Sequence, residues 1–179
     1  MASRQDLLAI GETFEFKLMA MLRYSMPNAV ILHDLQLQSN YLGKDTQIDL
    51  VVVDKSGVFV IEAKNWKHWI KGDYNDSKWN GLTSDRRTIT VFRPFEQNFL
   101  HIRTLRNAIR TKGVEPIEFH NIVVLPDGVD IYSNCREVVN LSRLPLVINS
   151  LKNVRDTVNV KQYANLIRGV THKWSTKRW

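Results

Sequence analysis

The stretch Gln47-Ile48-Asp49-Leu50-Val51-Val52-Val53-Asp54-Lys55-Ser56-Gly57-Val58-Phe59-Val60-Ile61-Glu62-Ala63-Lys64 decides how this chain folds. Two apolar runs flank Asp54-Lys55-Ser56-Gly57, and Asp first with Gly fourth is what a type I turn favours. The runs therefore read as the two arms of a β-hairpin. Both are apolar on both faces, which places them centrally in a covered sheet. With the turn centred between Lys55 and Ser56, Val53 lies opposite Val58, Val51 opposite Val60 and Asp49 opposite Glu62. Strict alternation then puts Asp49, Val51, Val53, Val58, Val60, Glu62 and Lys64 on one face.

That register sets two carboxylates side by side, with Cβ atoms about 4.5–5.5 Å apart, where like charges are destabilising. A divalent cation resolves the repulsion. Oxygen-rich carboxylate sites suit Mg²⁺ or Mn²⁺, which keep waters and bind substrate phosphates. Such an ion lowers the pKa of bound water and offsets charge developing on a phosphate. Lys64, two residues from Glu62 on the same face, can orient or deprotonate the attacking water or offset that charge. The plainer reading of the same residues is a salt bridge of Lys64 with Glu62 or Asp49 at a strand end.

Outward from the hairpin, residues 5–24 read as a helix with Leu7, Phe14, Leu18, Met21 and Leu22 on one stripe. Residues 29–38 alternate as a strand. Residues 65–85 form a polar loop interleaved with Trp66, Trp69, Tyr74 and Trp79, with Trp66 and Trp79 expected in the core and Trp69 exposed. A short strand follows at 87–91. Pro94 opens a helix to about Lys112, with Phe95, Phe99, Ile102, Leu105 and Ile109 as its apolar stripe. Residues 121–125 are a buried strand, and a last helix is expected from about Pro145 to Arg168. The order gives an α/β fold with an αβββαβ core, a mixed central sheet flanked by helices. Residues 1–149 make the main domain and 150–179 a basic helical extension.

With 44% hydrophobic and 24% charged residues over 179, the chain has the makings of one packed domain rather than a disordered one. Apolar runs such as Leu50–Val53 and Val58–Ile61 stop at four residues, far below the roughly 20 of a membrane span. The opening MASRQDLLAI lacks the apolar segment of a secretion signal. The single Cys135 forms no internal disulfide, and a cytoplasmic protein without membrane attachment is expected. The net charge is +7, and residues 150–179 carry seven of the basic residues against one acid, Asp156. Such a basic segment suits a phosphate backbone, or is simply a solvated helix.

Taken in order, several motifs resemble the NERD (nuclease-related) domain of the PD-(D/E)XK nuclease superfamily: Gly11-Glu12-Thr13-Phe14-Glu15 in a first helix, Gln47-Ile48-Asp49 and Val58 to Trp66 with its Glu-x-Lys, a following Trp79, and Pro94-Phe95-Glu96-Gln97 at a helix start. The match covers roughly Ile10 to Leu125. It implies a restriction-endonuclease-like fold and Mg²⁺-dependent cleavage of DNA. It also implies that Glu12 completes the metal shell with Asp49 and Glu62, Glu15 competing for that role, and that Gln97 contacts the site. Gln47 stands where the family often has an acid. The chain has no room for the helicase or kinase modules of many members, and one cysteine excludes a zinc ribbon, so a stand-alone domain or a fragment is expected.

The expected function is a DNA endonuclease with Asp49, Glu62, Lys64, Glu12 and Gln97 at its site. RNA as substrate stays open. Lys67, Trp69, Lys71, Arg86 and Arg87, with Lys173, Lys177 and Arg178, are the candidates for holding nucleic acid. The histidines show no ligand spacing, and only His101, one helical turn after Gln97, is placed to line the site. A homodimer would suit cutting of two strands, although no residue shows it. Two other readings are a nucleic-acid-binding module with an inactive site and a protein-interaction adaptor of nuclease fold.

Overall fold

The computed structural model describes residues 4–39, 44–82, 86–114, 117–152 and 158–171, with side chains from Thr13 onward except those of Ser39 and Lys44. Helix α1 (Arg4–Ser25) leads into three antiparallel strands, β1 (Val30–Ser39), β2 (Lys44–Asp54) and β3 (Gly57–Ala63). Helix α2 (Pro94–Arg110) then crosses to β7 (Phe119–Leu125), which pairs parallel to β3. These six elements are the expected αβββαβ core. A short strand β9 (Val138–Asn140) extends the sheet to the order β1-β2-β3-β7-β9.

The hairpin register is the expected one, with Val53 on Val58 and Val51 on Val60. Its turn is closed by Asp54, whose Oδ1 accepts from the Ser56 backbone N–H and hydroxyl. Gly57 takes φ 150°, and a Cβ there would sit 2.9 Å from the Glu118 carbonyl oxygen, so the close pairing with the start of β7 requires glycine.

The two faces of the sheet bury different partners. Leu50, Val52, Phe59, Ile61, Ile122 and Val124 pack with Phe14, Leu18 and Leu22 of α1. Val51, Val53, Val58 and Val60 pack with Ile102, Leu105 and Ile109 of α2, and with Tyr163, Ala164 and Ile167 of α4 (Val160–Val170). The helix expected over 145–168 is two: α3 (Leu144–Leu151) lies against the α1 side and α4 against the α2 side. One continuous helix could not serve both faces. On α2 the stripe shifts, since Phe99 is exposed while Asn98, His101 and Thr104 are buried. Asn98 donates to the carbonyls of Val60 and Ile122 and to Asn121 Oδ1, tying α2 to β3 and β7.

The segment expected as a polar loop is instead a second sheet. Strands β4 (Lys67–Lys71) and β5 (Lys78–Leu82), with β6 (Thr88–Phe92) and β8 (Asp130–Tyr132), pair in the order β6-β5-β4-β8. Its core holds Ile70 and the fully buried Trp79, with Trp66 partly buried against them. Trp69, expected exposed, is half-buried. Among the described residues no helix is long and apolar enough to cross a membrane.

Candidate active site

The ladder between β2 and β3 ends at the pair Leu50–Ile61, one step short of Asp49 and Glu62. Glu62 continues instead as a partner of Val123 on β7. Along β2, Ile48 and Val51 enter the same cluster while Leu50 and Val52 enter the other, so alternation slips by one residue at Asp49. Asp34, across from Asp49 on β1, has φ 51° and marks the same irregularity. Asp49 sits at that slip, where simple alternation no longer fixes its face. Its Oδ2 accepts from the Ala63 N–H at 2.8 Å, capping β3 where ladder pairing with β2 has stopped.

Glu62 is only 2% exposed. Its Oε1 lies 2.6 Å from Lys64 Nζ, and Lys64 also donates to Gln97 Oε1 at 3.2 Å. Its Oε2 lies 3.4 Å from His101 Nε2, close enough to interact electrostatically, although neither buried atom has a hydrogen-bond partner. Thr46 Oγ1 sits 2.7 Å from His101 Nδ1. A carboxylate at Nε2 favours the proton there, which leaves the Thr46 hydroxyl to donate to Nδ1. The structure thus brings Asp49, Glu62, Lys64 and Gln97 together and adds His101 and Thr46. His101 was within reach of sequence reasoning through its one-turn spacing from Gln97, whereas nothing local marked Thr46.

The two carboxylates are driven apart electrically. Burial, then the neighbouring Glu62 charge, pushes Asp49 up to about 7, and Glu15 on α1 adds to this against the Ala63 N–H and Lys64. Burial works to raise Glu62 as well, but His101 and Lys64 outweigh it and hold that carboxyl below its ordinary value.

The site has one ion-paired carboxylate oxygen, one buried orphan oxygen and a second carboxyl that ionises reluctantly. That donor set fits a hard divalent cation, which relieves the repulsion and takes the free lone pairs. Among the described residues no group of three or more His, Cys, Asp or Glu is placed to hold a metal ion by itself. Two carboxylates suffice for an ion that keeps several waters and leans on substrate phosphate. The Glu12 side chain lies outside the described ones. Its neighbour Thr13, with Lys17, walls a cavity of about 320 Å³ shared with Asn65, the residue after Lys64. Gln47 is exposed and donates to Asp34 at 2.7 Å.

The same ordered residues match a family model, that of the nuclease-related domain (NERD), over residues 10–126. This chain belongs to the NERD family. Its general context is the PD-(D/E)XK superfamily, in keeping with the αβββαβ core. The domain is also similar to an uncharacterized protein of Bacillus anthracis, 30% identical over 136 residues, which cover 74% of this chain and 62% of that protein. The chain thus spans less than two thirds of that relative's length. No solved structure matches it.

Of the residues expected to hold nucleic acid, Lys67 and Lys71 are exposed on β4, with Trp69 half-buried between them. Arg86 and Arg87 are exposed just before β6. This sheet begins three residues after Lys64 in the sequence. Lys173, Lys177 and Arg178 lie outside the described residues.

Proposed function

We propose that the chain is a metal-dependent endonuclease that hydrolyses DNA phosphodiester bonds. The observation that carries this reading is the pair of half-buried Asp49 and buried Glu62, held against one lysine with too little positive charge to neutralise both. Asp49 and Glu62 would hold Mg²⁺ or Mn²⁺, with Glu12 as the candidate third carboxylate. The ion, when bound, supplies a water of lowered pKa and charge to offset the phosphate.

The chain's own residues do the rest. Lys64, ion-paired with Glu62 and braced by Gln97, is suited to fix the attacking water or a non-bridging phosphate oxygen. His101, braced by Thr46, holds the Glu62 carboxylate in orientation. Lys67, Lys71, Arg86 and Arg87, all exposed, would hold a phosphate backbone. RNA as substrate and a homodimer for double-strand cutting stay within this proposal. Residues 150–179 carry further positive charge toward nucleic acid.

One observation favours a second reading, a DNA-binding module with an inactive site: the Lys64 ammonium is pressed onto Glu62 at 2.6 Å, where a cation would otherwise sit. Supercoiled plasmid incubated with wild type and Glu62→Ala, in Mg²⁺, Mn²⁺ and EDTA, separates the two. Metal-dependent nicking absent from the variant supports the nuclease. Folded protein that shifts DNA on a gel yet never nicks it, under any metal, moves the assignment to the binding module.

A further inference from the structure

The later turns of α2 border a second cleft, of about 510 Å³, and none of Asp49, Glu62, Lys64, Gln97 or His101 lines it. Arg103, Arg106 and Arg110 stand along its rim, all exposed. Their i, i+3, i+7 spacing makes one row about 10 Å long. From Gln97 to Val114 the chain has these arginines and Lys112 and not one acid.

The wall behind the row is aromatic. Phe99 is 46% exposed, Phe119 lies under the Arg106 guanidinium at 5.8 Å, and Tyr163 comes across from α4. Tyr163 is 5% exposed, and its hydroxyl oxygen is sealed from water without a hydrogen-bond partner. The Ile117 backbone is near enough to perturb that hydroxyl. A buried hydroxyl on the wall of an open cleft is a polar handle waiting for a ligand.

We propose that this cleft binds a nucleotide, with its base against Phe99 and Phe119, a base-edge group bonded to the Tyr163 hydroxyl, and its phosphates along Arg103, Arg106 and Arg110. Guanidinium forks match phosphate oxygens bidentately, and aromatic rings take bases of any sequence. The volume suits a mononucleotide. Residues 172–179 do not suit the cleft by charge, since they carry Lys173, Lys177 and Arg178 and no acidic side chain. The nucleotide could be free or part of a single strand. Either way α2 carries the site residues Gln97 and His101 in its first turns and the arginine row after them.

Calorimetric titration of the full chain in EDTA, with ATP, inorganic triphosphate and a short single-stranded oligodeoxynucleotide, tests this without metal-held phosphate. ATP or the oligonucleotide is expected to bind. Arg103→Gln/Arg110→Gln, both at exposed positions, should weaken binding at least tenfold. Tyr163→Phe should weaken ATP several-fold and leave triphosphate unchanged. Tighter binding of ATP assigns a free nucleotide, and tighter binding of the oligonucleotide a strand. No binding of either, an affinity that survives the double arginine change in folded protein, or triphosphate binding as tightly as ATP would overturn the proposal.

Discussion

Replacing Asp49 by Asn should make the metal-free protein more stable while removing a proposed metal ligand. The folded chain holds this carboxyl at about 7 against an ordinary 3.8, chiefly through burial and the Glu62 charge. A folded value above the unfolded one means that the fold binds the proton more tightly. The resulting stabilisation is complete below 3.8 and is lost as pH rises through about 7. Near pH 8 the wild-type fold therefore carries an ionised Asp49 at a cost of up to about 4 kcal/mol. Lys64 and entering water reduce this, so a gain of about 2–4 kcal/mol is expected from Asn, which keeps an oxygen for the Ala63 N–H. Near pH 5 Asp49 is protonated in the fold and only the unfolded chain is ionised there, which lowers the ceiling to about 1.5 kcal/mol.

For a chain of this size each kcal/mol moves Tm by roughly 2–4 °C. Thermal unfolding in EDTA should thus show Asp49→Asn higher by roughly 5–10 °C near pH 8, with about a third to a half of that gain near pH 5. Excess Mg²⁺ near pH 8 should then raise the wild type and leave the variant unmoved, because a bound cation does for the carboxylate pair what the substitution does by neutralising it. A variant no more stable than wild type near pH 8, or a benefit that grows as pH falls, would refute the claim that charge repulsion is stored at this site.

Three further outcomes are expected. Asn98→Ala should lose about 2–4 kcal/mol in denaturant titration, because it strips a fully buried amide from two backbone carbonyls and Asn121. His101→Ala should weaken Mg²⁺ or Mn²⁺ binding, measured by calorimetry, roughly 10–100-fold with little change of fold, since the imidazole orients Glu62. Burial lowers the His120 pKa from 6.5, opposed only partly by Glu118, and His33 is lowered too. Folded values below the unfolded one give stability that is present above 6.5 and lost as pH falls through it, so the decline of denaturation midpoint below that pH should flatten in His120→Leu.

The hairpin was legible because its signals are local. Asp54 and Gly57 set the turn, the turn sets the register, and the register brings Asp49 and Glu62 to one end. The second sheet was not, because β4 and β5 are five residues each with Lys67, His68, Lys71, Lys78 and Asn80 on their exposed sides. In sequence these mimic a polar loop. Their order comes from burying Ile70 and Trp79, and from pairing β4 with β8, which starts at Asp130. The aromatic cleft was equally hidden: the arginine spacing is visible on paper, but its far wall is Tyr163, delivered by α4 from sixty residues downstream of Arg103.

Asp49 shows where local rules stop. Alternation and register placed its side chain beside Glu62 on one face, and the repulsion between them was readable from that placement alone. How the repulsion is relieved was not readable. Continued pairing would press two buried carboxylates together under α2. Instead the β2–β3 ladder ends at Leu50–Ile61, alternation slips, and Asp49 turns to cap the Ala63 N–H while Glu62 stays with Lys64 and His101. The slip removes a ladder step from the middle of an otherwise regular sheet. It leaves Glu62 Oε2 without a hydrogen bond and holds Asp49 up to about 7, so the irregularity only partly relieves the charge. A stable sheet would place an apolar pair at this position. A site that takes a divalent cation needs the residual charge, and the same two carboxylates account for both the break in the strand and the proposed chemistry.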